Sequence, residues 1–277
     1  MGVIVAVAIE KGGVGKTATV TNVAAVLAKQ GNRVLVIDMD AQCNSTYFLT
    51  GNKKRQNDYR NCGIAEMLRV YDQGADYSRY VKETQIENLY IVPSNAATAT
   101  IPSILNILAE SYKQNVNNFL ALSLEELLAA IPFDFVFIDT PPNLELQTTN
   151  ALVACDYLLI PFNCEEQALD GLQDTDELRQ RLERDEDAEI KLLGIVMTMV
   201  ERSSLTREMK EMIQKSQYKP YLLKTEIRKG QAVKDSGTYG KPVVVSNPNS
   251  NPAKDYVKLA EEIVQRIHEI EENESWH

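Results

Sequence analysis

The chain has 277 residues, of which 44% are hydrophobic and 25% charged, and a formal net charge of -10. That balance is ordinary for a globular protein and excludes a wholly disordered chain. It also argues against a surface that is basic throughout. Four cysteines (Cys43, Cys62, Cys155, Cys164) form no CxxC pair, so a disulfide scaffold is not expected and a reducing cytoplasm is the simpler home. Apolar runs such as Val3 to Ile9 fall far short of the ~20 residues that span a bilayer.

Val3 to Ile9 is continuously apolar, as befits a parallel strand buried on both faces. A glycine-rich turn follows, then helical spacing from Ala18 to Gln30 (Val20, Val23, Ala24, Leu27) that stops at Gly31. Further strands are predicted over Val34–Ile37, Leu89–Val92, Phe133–Ile138, Tyr157–Phe162 and Leu192–Met199, and a last helix over Pro252–Glu271. Residues 43–87 and 96–130 carry no clear period and are expected to hold surface helices and loops. Strands alternating with helices predict an α/β fold, a doubly wound, mostly parallel sheet flanked by helices. No Pro/Ser/Gly linker interrupts it, so residues 1–277 are expected to form a single domain.

The run Lys11-Gly12-Gly13-Val14-Gly15-Lys16-Thr17 lies directly between the first strand and the first helix. Glycines let successive backbone N–H groups turn inward around phosphate oxygens, and the helix start adds its positive dipole end. Lys16 then suits the β- and γ-phosphates, and the Thr17 hydroxyl suits Mg²⁺. The general phosphate-loop pattern wants glycine at position 10 and finds Glu10. Asp139 closes an apolar strand where a Mg²⁺-holding carboxylate is expected, and Asp38 and Asp40 alternate onto one side of another strand end.

With its second lysine, Lys11, the loop resembles the deviant Walker A ATPases of the ParA/MinD class. The resemblance extends to Asp38-Met39-Asp40-Ala41-Gln42, to Phe133 to Pro142, to Gly194–Met199 and to Thr225–Arg228. Val92-Pro93-Ser94-Asn95, Thr198-Met199 and Gly240-Lys241-Pro242 make it most similar to the ParA/Soj DNA-partitioning proteins. It implies ATP and Mg²⁺ as cofactors, Gly12 to Ala18 around the phosphates, and Lys11 crossing to the partner's nucleotide in an ATP-sandwich homodimer. It implies that Asp40 orients the attacking water, with Asp38 behind it near the metal or in a purely structural role. Adenine is placed by resemblance near Thr198, Met199 and Ile227, Met199 being as readily a core residue. Three positions depart from the family pattern: Ala18 lacks a hydroxyl, Ala41 replaces the usual proline, and Cys43 stands where glycine is common.

From Arg202 to Lys241 the chain holds ten Lys/Arg and four Asp/Glu, a local +6 on a body of -16. Arg202, Arg207, Lys210, Arg228, Lys229 and Lys234 are the candidate contacts to DNA, read without base specificity as the resemblance implies. The acidic run from Glu165 to Glu189 is a solvated helix or a landing site for the basic tail of a ParB-like adaptor, which the resemblance makes the stimulator of a slow hydrolysis. The loop begins at residue 10, so no helix-turn-helix module is expected before it. A MinD-like membrane role needs a basic amphipathic end, whereas Glu269 to Glu274 is acidic. An iron–sulfur branch needs paired cysteines, and a non-hydrolysing ATP-gated scaffold is kept open by Ala41 and Cys43 beside Asp40.

Overall fold

Strand β1 (Val3–Val7) sends Val5 and Val7 to one face of the sheet and Ile4 and Ala6 to the other, and both faces are covered. Strand β2 (Val34–Asp38) repeats the pattern, which is why these segments read as unbroken apolar runs rather than alternating ones. The structure, a computed structural model, describes residues 2–51, 59–72, 74–165, 168–186 and 188–274. Glu166 and Asp187 of the acidic run, and the last three residues of the acidic C-terminus, lie outside the described residues.

Besides β1 and β2 the sheet contains β3 (Lys82–Glu83), β4 (Leu89–Val92), β5 (Phe135–Asp139), β6 (Tyr157–Asn163) and β7 (Lys191–Thr198). Their order is β3-β4-β2-β5-β1-β6-β7, with every pairing parallel except the short, charged edge strand β3. Helices α1 (Lys16–Lys29) and α11 (Asn251–Glu274) cover the Val5 face. The Ile4 face packs on α3 (Ile64–Arg69), α4 (Ile101–Tyr112), α5 (Phe119–Ala130), α6 (Leu146–Val153) and α7 (Ala168–Glu186). The predicted doubly wound sheet is therefore the fold.

Boundaries moved by one to three residues, each for a local reason. Ala8 and Ile9 stay buried but leave the β1 ladder to begin the glycine loop, and α1 starts earlier than its apolar spacing, at Lys16. β2 and β5 each extend to their aspartate, which places Asp38 beside Asp139. The two stretches expected to be surface helices and loops are more than that. Ile64, Leu105 and Phe119 are fully buried, and α2 (Asn44–Thr50) buries Ser45 and Thr46. Polar residues packed inward carry no apolar period, which is why α2 is illegible in sequence.

The carboxyl ends of β1, β2, β5 and β7 converge on one crevice, where a doubly wound sheet reverses its strand order. Past β7 come α8 (Ser204–Gln214), α9 (Gln231–Tyr239) and α10 (Val243–Ser246). No helix among the described residues is long and apolar enough to cross a membrane.

Candidate functional site

Gly13 and Gly15 adopt left-handed φ angles of 75° and 89°, the conformation that makes glycine necessary there. Gly15 is the N-cap of α1 and has no side chain to cap it, so the first amides of the helix remain open to an anion. The Lys16 ammonium, on a residue only 7% exposed, lies inside the loop and donates to the carbonyls of Ile9 (3.2 Å) and Lys11 (2.7 Å). Burial lowers its pKa, opposed by the nearby carboxylates Asp139 and Asp40. Thr198, at the end of β7, donates its hydroxyl to the Val14 carbonyl at 2.8 Å and so braces the loop from the opposite side.

Two fully buried carboxylates stand at the root of the crevice. Asp139 Oδ2 accepts from Thr17 Oγ1 (2.8 Å) and Ser45 Oγ (2.7 Å), while Asp139 Oδ1 has no partner among the described residues. Burial pushes the Asp139 carboxyl up to about 6, against the hydroxyl bonds that favour its charge. Asp38 is pushed up to about 8, by burial first and the charge of Asp139 second. An orphaned carboxylate oxygen next to a hydroxyl, at the foot of a phosphate loop, fits a hard divalent cation that takes its remaining ligands from water and phosphate. Among the described residues there is no group of three or more His, Cys, Asp or Glu that could hold a metal ion.

Asp38 does not face that spot with an open oxygen. Its Oδ2 accepts from Thr46 N (2.8 Å) and Thr46 Oγ1 (2.7 Å), and its Oδ1 from the amide of Asp40 (3.2 Å). Of the two roles left open for Asp38, these contacts support the structural one. Asp40 itself is half-buried and lines a cleft of about 450 Å³ together with Gly12 to Ala18, Thr140 and Pro142.

Met199 and Ile227 also meet beside the loop. A narrower, mostly apolar cavity of about 70 Å³ is lined by Gly15, Ala18, Thr198, Met199, Ile227 and Val233. Met199 is 40% exposed with a left-handed φ of 53°, so of its two roles the core one does not hold. Ile227 is buried and Thr198 is committed to Val14, which leaves Met199 and Val233 as the more accessible walls.

Lys11 is where the sequence predicts it, at the mouth of the loop, and its ammonium pairs with Glu165 at 3.0 Å. That contact holds the Glu165 carboxyl below the usual range. The basic segment is also drawn together, because Val200 pairs with Arg228 and the Lys229 amide donates to the Val200 carbonyl at 3.1 Å. Arg202, Arg207, Arg228, Lys229 and Lys234 are exposed, and Lys210 is half-buried. Several of these cations already have acidic neighbours: Lys210 binds Glu226, Lys229 binds Glu201 (3.0 Å), and Arg228 forks onto Asp255 (2.6 and 2.8 Å). Lys234 lines the narrow cavity rather than the outer face of α8.

Ser45, Ser94 and Phe48 belong to this site and carried no sequence role, and Glu165 was read only as the start of the acidic run. Ser94 fell within a segment noted for resemblance, and only the fold shows its hydroxyl 2.7 Å from the Asp40 carbonyl.

The sequence model of the AAA_31 family, described as an AAA domain, matches residues 2–192. The sporulation initiation inhibitor protein Soj of Bacillus subtilis is 32% identical, over 95% of this chain and 98% of that protein. The chromosome partitioning protein ParA of Caulobacter vibrioides is 30% identical, over 95% and 94%. Among solved structures, cobyrinic acid a,c-diamide synthase of Mycobacterium smegmatis, crystallised with an ATP analogue and magnesium, is similar in fold. It has a TM-score of 0.78, with 24% identity over 97% of this chain and 96% of that one. Near-full-length identity to Soj and ParA, together with a glycine loop carrying both Lys11 and Lys16, places the chain in the family of ParA/Soj-type partitioning ATPases.

Proposed function

We propose that this chain is an ATP-dependent DNA segregation protein, acting as one ATPase unit over residues 1–277. The observation that carries the reading is the convergence of Lys16, Thr17 and Asp40 on a single cleft, with Asp139 bonded to Thr17 at its root and Lys11 next in the chain to the loop glycines. In this reading the loop amides and Lys16 bind the β- and γ-phosphates of ATP. Thr17 and Asp139 hold Mg²⁺, which neutralises charge on the phosphates. Asp40 orients water towards the γ-phosphate, and Pro141-Pro142 stiffen the segment that senses it. Lys11 leaves Glu165 and reaches the partner subunit's triphosphate, bringing positive charge to where it accumulates in the transition state. Met199 and Val233 flank the adenine.

The closed homodimer presents Arg202, Arg207, Lys229 and their neighbours to DNA phosphates, without reading bases. A ParB-like adaptor stimulates a slow hydrolysis, which returns the protein to the cytoplasmic pool from the nucleoid. The acidic face of α7 suits the adaptor's basic tail. Acidic residues at the end of α11 (Glu269, Glu271, Glu272, Glu274) disfavour the MinD-like alternative on anionic lipid.

Titration of DNA with ATP, with ADP and without nucleotide, at two salt concentrations, tests this reading. ATP-dependent binding that weakens steeply with salt is expected; equal binding in all three states removes the nucleotide gate. Phosphate release indistinguishable from an Asp40→Ala control would favour the non-hydrolysing scaffold.

A further inference from the structure

Asp40 sits in a turn built from unfavourable material. The turn ends at Cys43, a non-glycine residue held at a φ of 55°, and position 41 is alanine rather than a φ-locked proline. Left-handed backbone at a residue with a Cβ is strained and persists only where neighbours impose it. Those neighbours are visible.

The Ser94 side chain is fully buried just beyond β4 and touches three groups of this turn and its surroundings, while its amide reaches a fourth. Its Oγ lies 2.7 Å from the Asp40 carbonyl, 2.9 Å from Thr98 Oγ1 and 3.4 Å from Cys43 Sγ. Its amide donates to Thr46 Oγ1 at 2.8 Å. A hydroxyl has one proton to give, and a carbonyl can only accept. The Ser94 proton therefore goes to Asp40 O, and Thr98 donates to Ser94. Thr46 in turn passes its own proton to Asp38 Oδ2, and Asp38 Oδ1 accepts the Asp40 amide. Asp40 is thus held at its N–H by Asp38 and at its C=O by Ser94, with its Oδ1 on the Gln42 amide at 2.9 Å.

We propose that Ser94 is a positioning residue for the reaction: it fixes the backbone of Asp40 so that the carboxylate stays aimed into the cleft. This rests on the reading of Asp40 as the group that orients water. Ser94 touches neither nucleotide-binding loop nor metal ligand, so its loss should alter the aim of Asp40 and not the hold on ATP.

The experiment compares Ser94→Ala and Ser94→Thr with the parent in three measurements: ATP hydrolysis, Mg-ATP binding, and amide exchange over residues 40–46 of the nucleotide-free protein. For Ser94→Ala the expected result is a kcat reduced about tenfold, with KM and Mg-ATP affinity within about twofold. Exchange should be faster at Cys43, whose amide bonds to the Asp40 carbonyl, and unchanged in α1. Ser94→Thr keeps the hydroxyl and should recover most of the rate. A Ser94→Ala kcat equal to the parent's, or affinity falling in step with kcat, overturns the proposal. Should the parent turn over no faster than Asp40→Ala, the catalytic reading of Asp40 fails separately. Exchange at residues 40–46 then decides whether Ser94 anchors the turn, and no change there overturns it.

Discussion

The molecule carries two groups of cations that the sequence singles out, and they are held in opposite ways. In the phosphate loop, Lys16 is buried and its ammonium is satisfied by two backbone carbonyls of the same loop. In the segment from Arg202 to Lys234, the cations are mostly exposed, and Lys210, Lys229 and Arg228 each face a carboxylate. Carbonyl partners neutralise no charge, so the Lys16 field towards an incoming phosphate is moderated by the fields of Asp139 and Asp40 rather than cancelled by a paired carboxylate. Carboxylate partners cancel most of theirs. A count of lysines and arginines therefore overstates the segment proposed to meet DNA and understates the loop. Lys11 stands between the two cases, at the loop yet paired to Glu165.

The strongest way to break this contrast is Lys16→Ala. It removes the one ammonium inside the loop, and ATP affinity should fall at least about a hundredfold, as expected for a charge-assisted contact in a desolvated site. Nucleotide titration by calorimetry measures it; a loss below about tenfold would mean that the amides alone hold the phosphates.

The next test concerns Lys11. Lys11→Ala should abolish ATP-dependent dimerisation while leaving ATP binding by the monomer, as read by sedimentation with a non-hydrolysable analogue. Glu165→Gln should act in the opposite direction, because it weakens a contact that must break before the lysine reaches across. With Glu165 63% exposed, each pair is worth at most about 1 kcal/mol, and two such pairs break per homodimer, so the dimer should tighten by no more than about thirtyfold. A weaker dimer from Glu165→Gln would mean that the pair persists in the dimer.

How much of this was readable from the sequence differs between the two regions. The loop was legible because its chemistry is contiguous: Gly12 to Thr17 are neighbours in the chain, and the flanking strand and helix announce themselves by period. The support for Asp40 was not, because it joins Asp38, Thr46 and Ser94 from three separate elements through hydroxyls and amides that leave no hydrophobic pattern. Glu165 lies 154 positions from Lys11 and looked like part of a solvated acidic helix. The basic segment was visible as a charge excess, but its compensation by Glu201, Glu226 and Asp255 depends on which strand ends and helices the fold brings together.

On the DNA side smaller effects are expected. Arg202→Ala should reduce the slope of log affinity against log salt by about 0.9, the value for one lost phosphate contact. Glu201→Gln should raise DNA affinity two- to threefold, roughly the effect of relieving a weak surface pair from Lys229. Arg228→Ala separates structure from binding. Asp255 is only 7% exposed on its side chain and loses its forked partner, so the melting temperature should drop by a few degrees. An unchanged melting temperature with a reduced salt slope would return Arg228 to the DNA contacts.

The finest test uses pH, because burial dominates the two carboxylates at the crevice root even with the Lys16 ammonium acting on Asp139. Asp38 is pushed up to about 8 and Asp139 to about 6, both mainly by burial. An unfolded chain releases these protons near pH 4, whereas the folded protein keeps them, so the folded state binds more protons between those limits. Stability of the nucleotide-free protein should therefore be fully present below about pH 4 and decline as pH rises through about 6 and then about 8, so far as these two groups are concerned. Urea unfolding midpoints followed from about pH 5 to about pH 8 measure the slope, and Asp38→Asn should flatten its upper part. Mg²⁺ with nucleotide should flatten the lower part, since a cation at Asp139 favours the ionised carboxylate that burial opposes. If Asp38→Asn shifts the midpoint by the same amount at every pH, Asp38 is ionised throughout, and the three donors from Thr46 and Asp40 outweigh its burial.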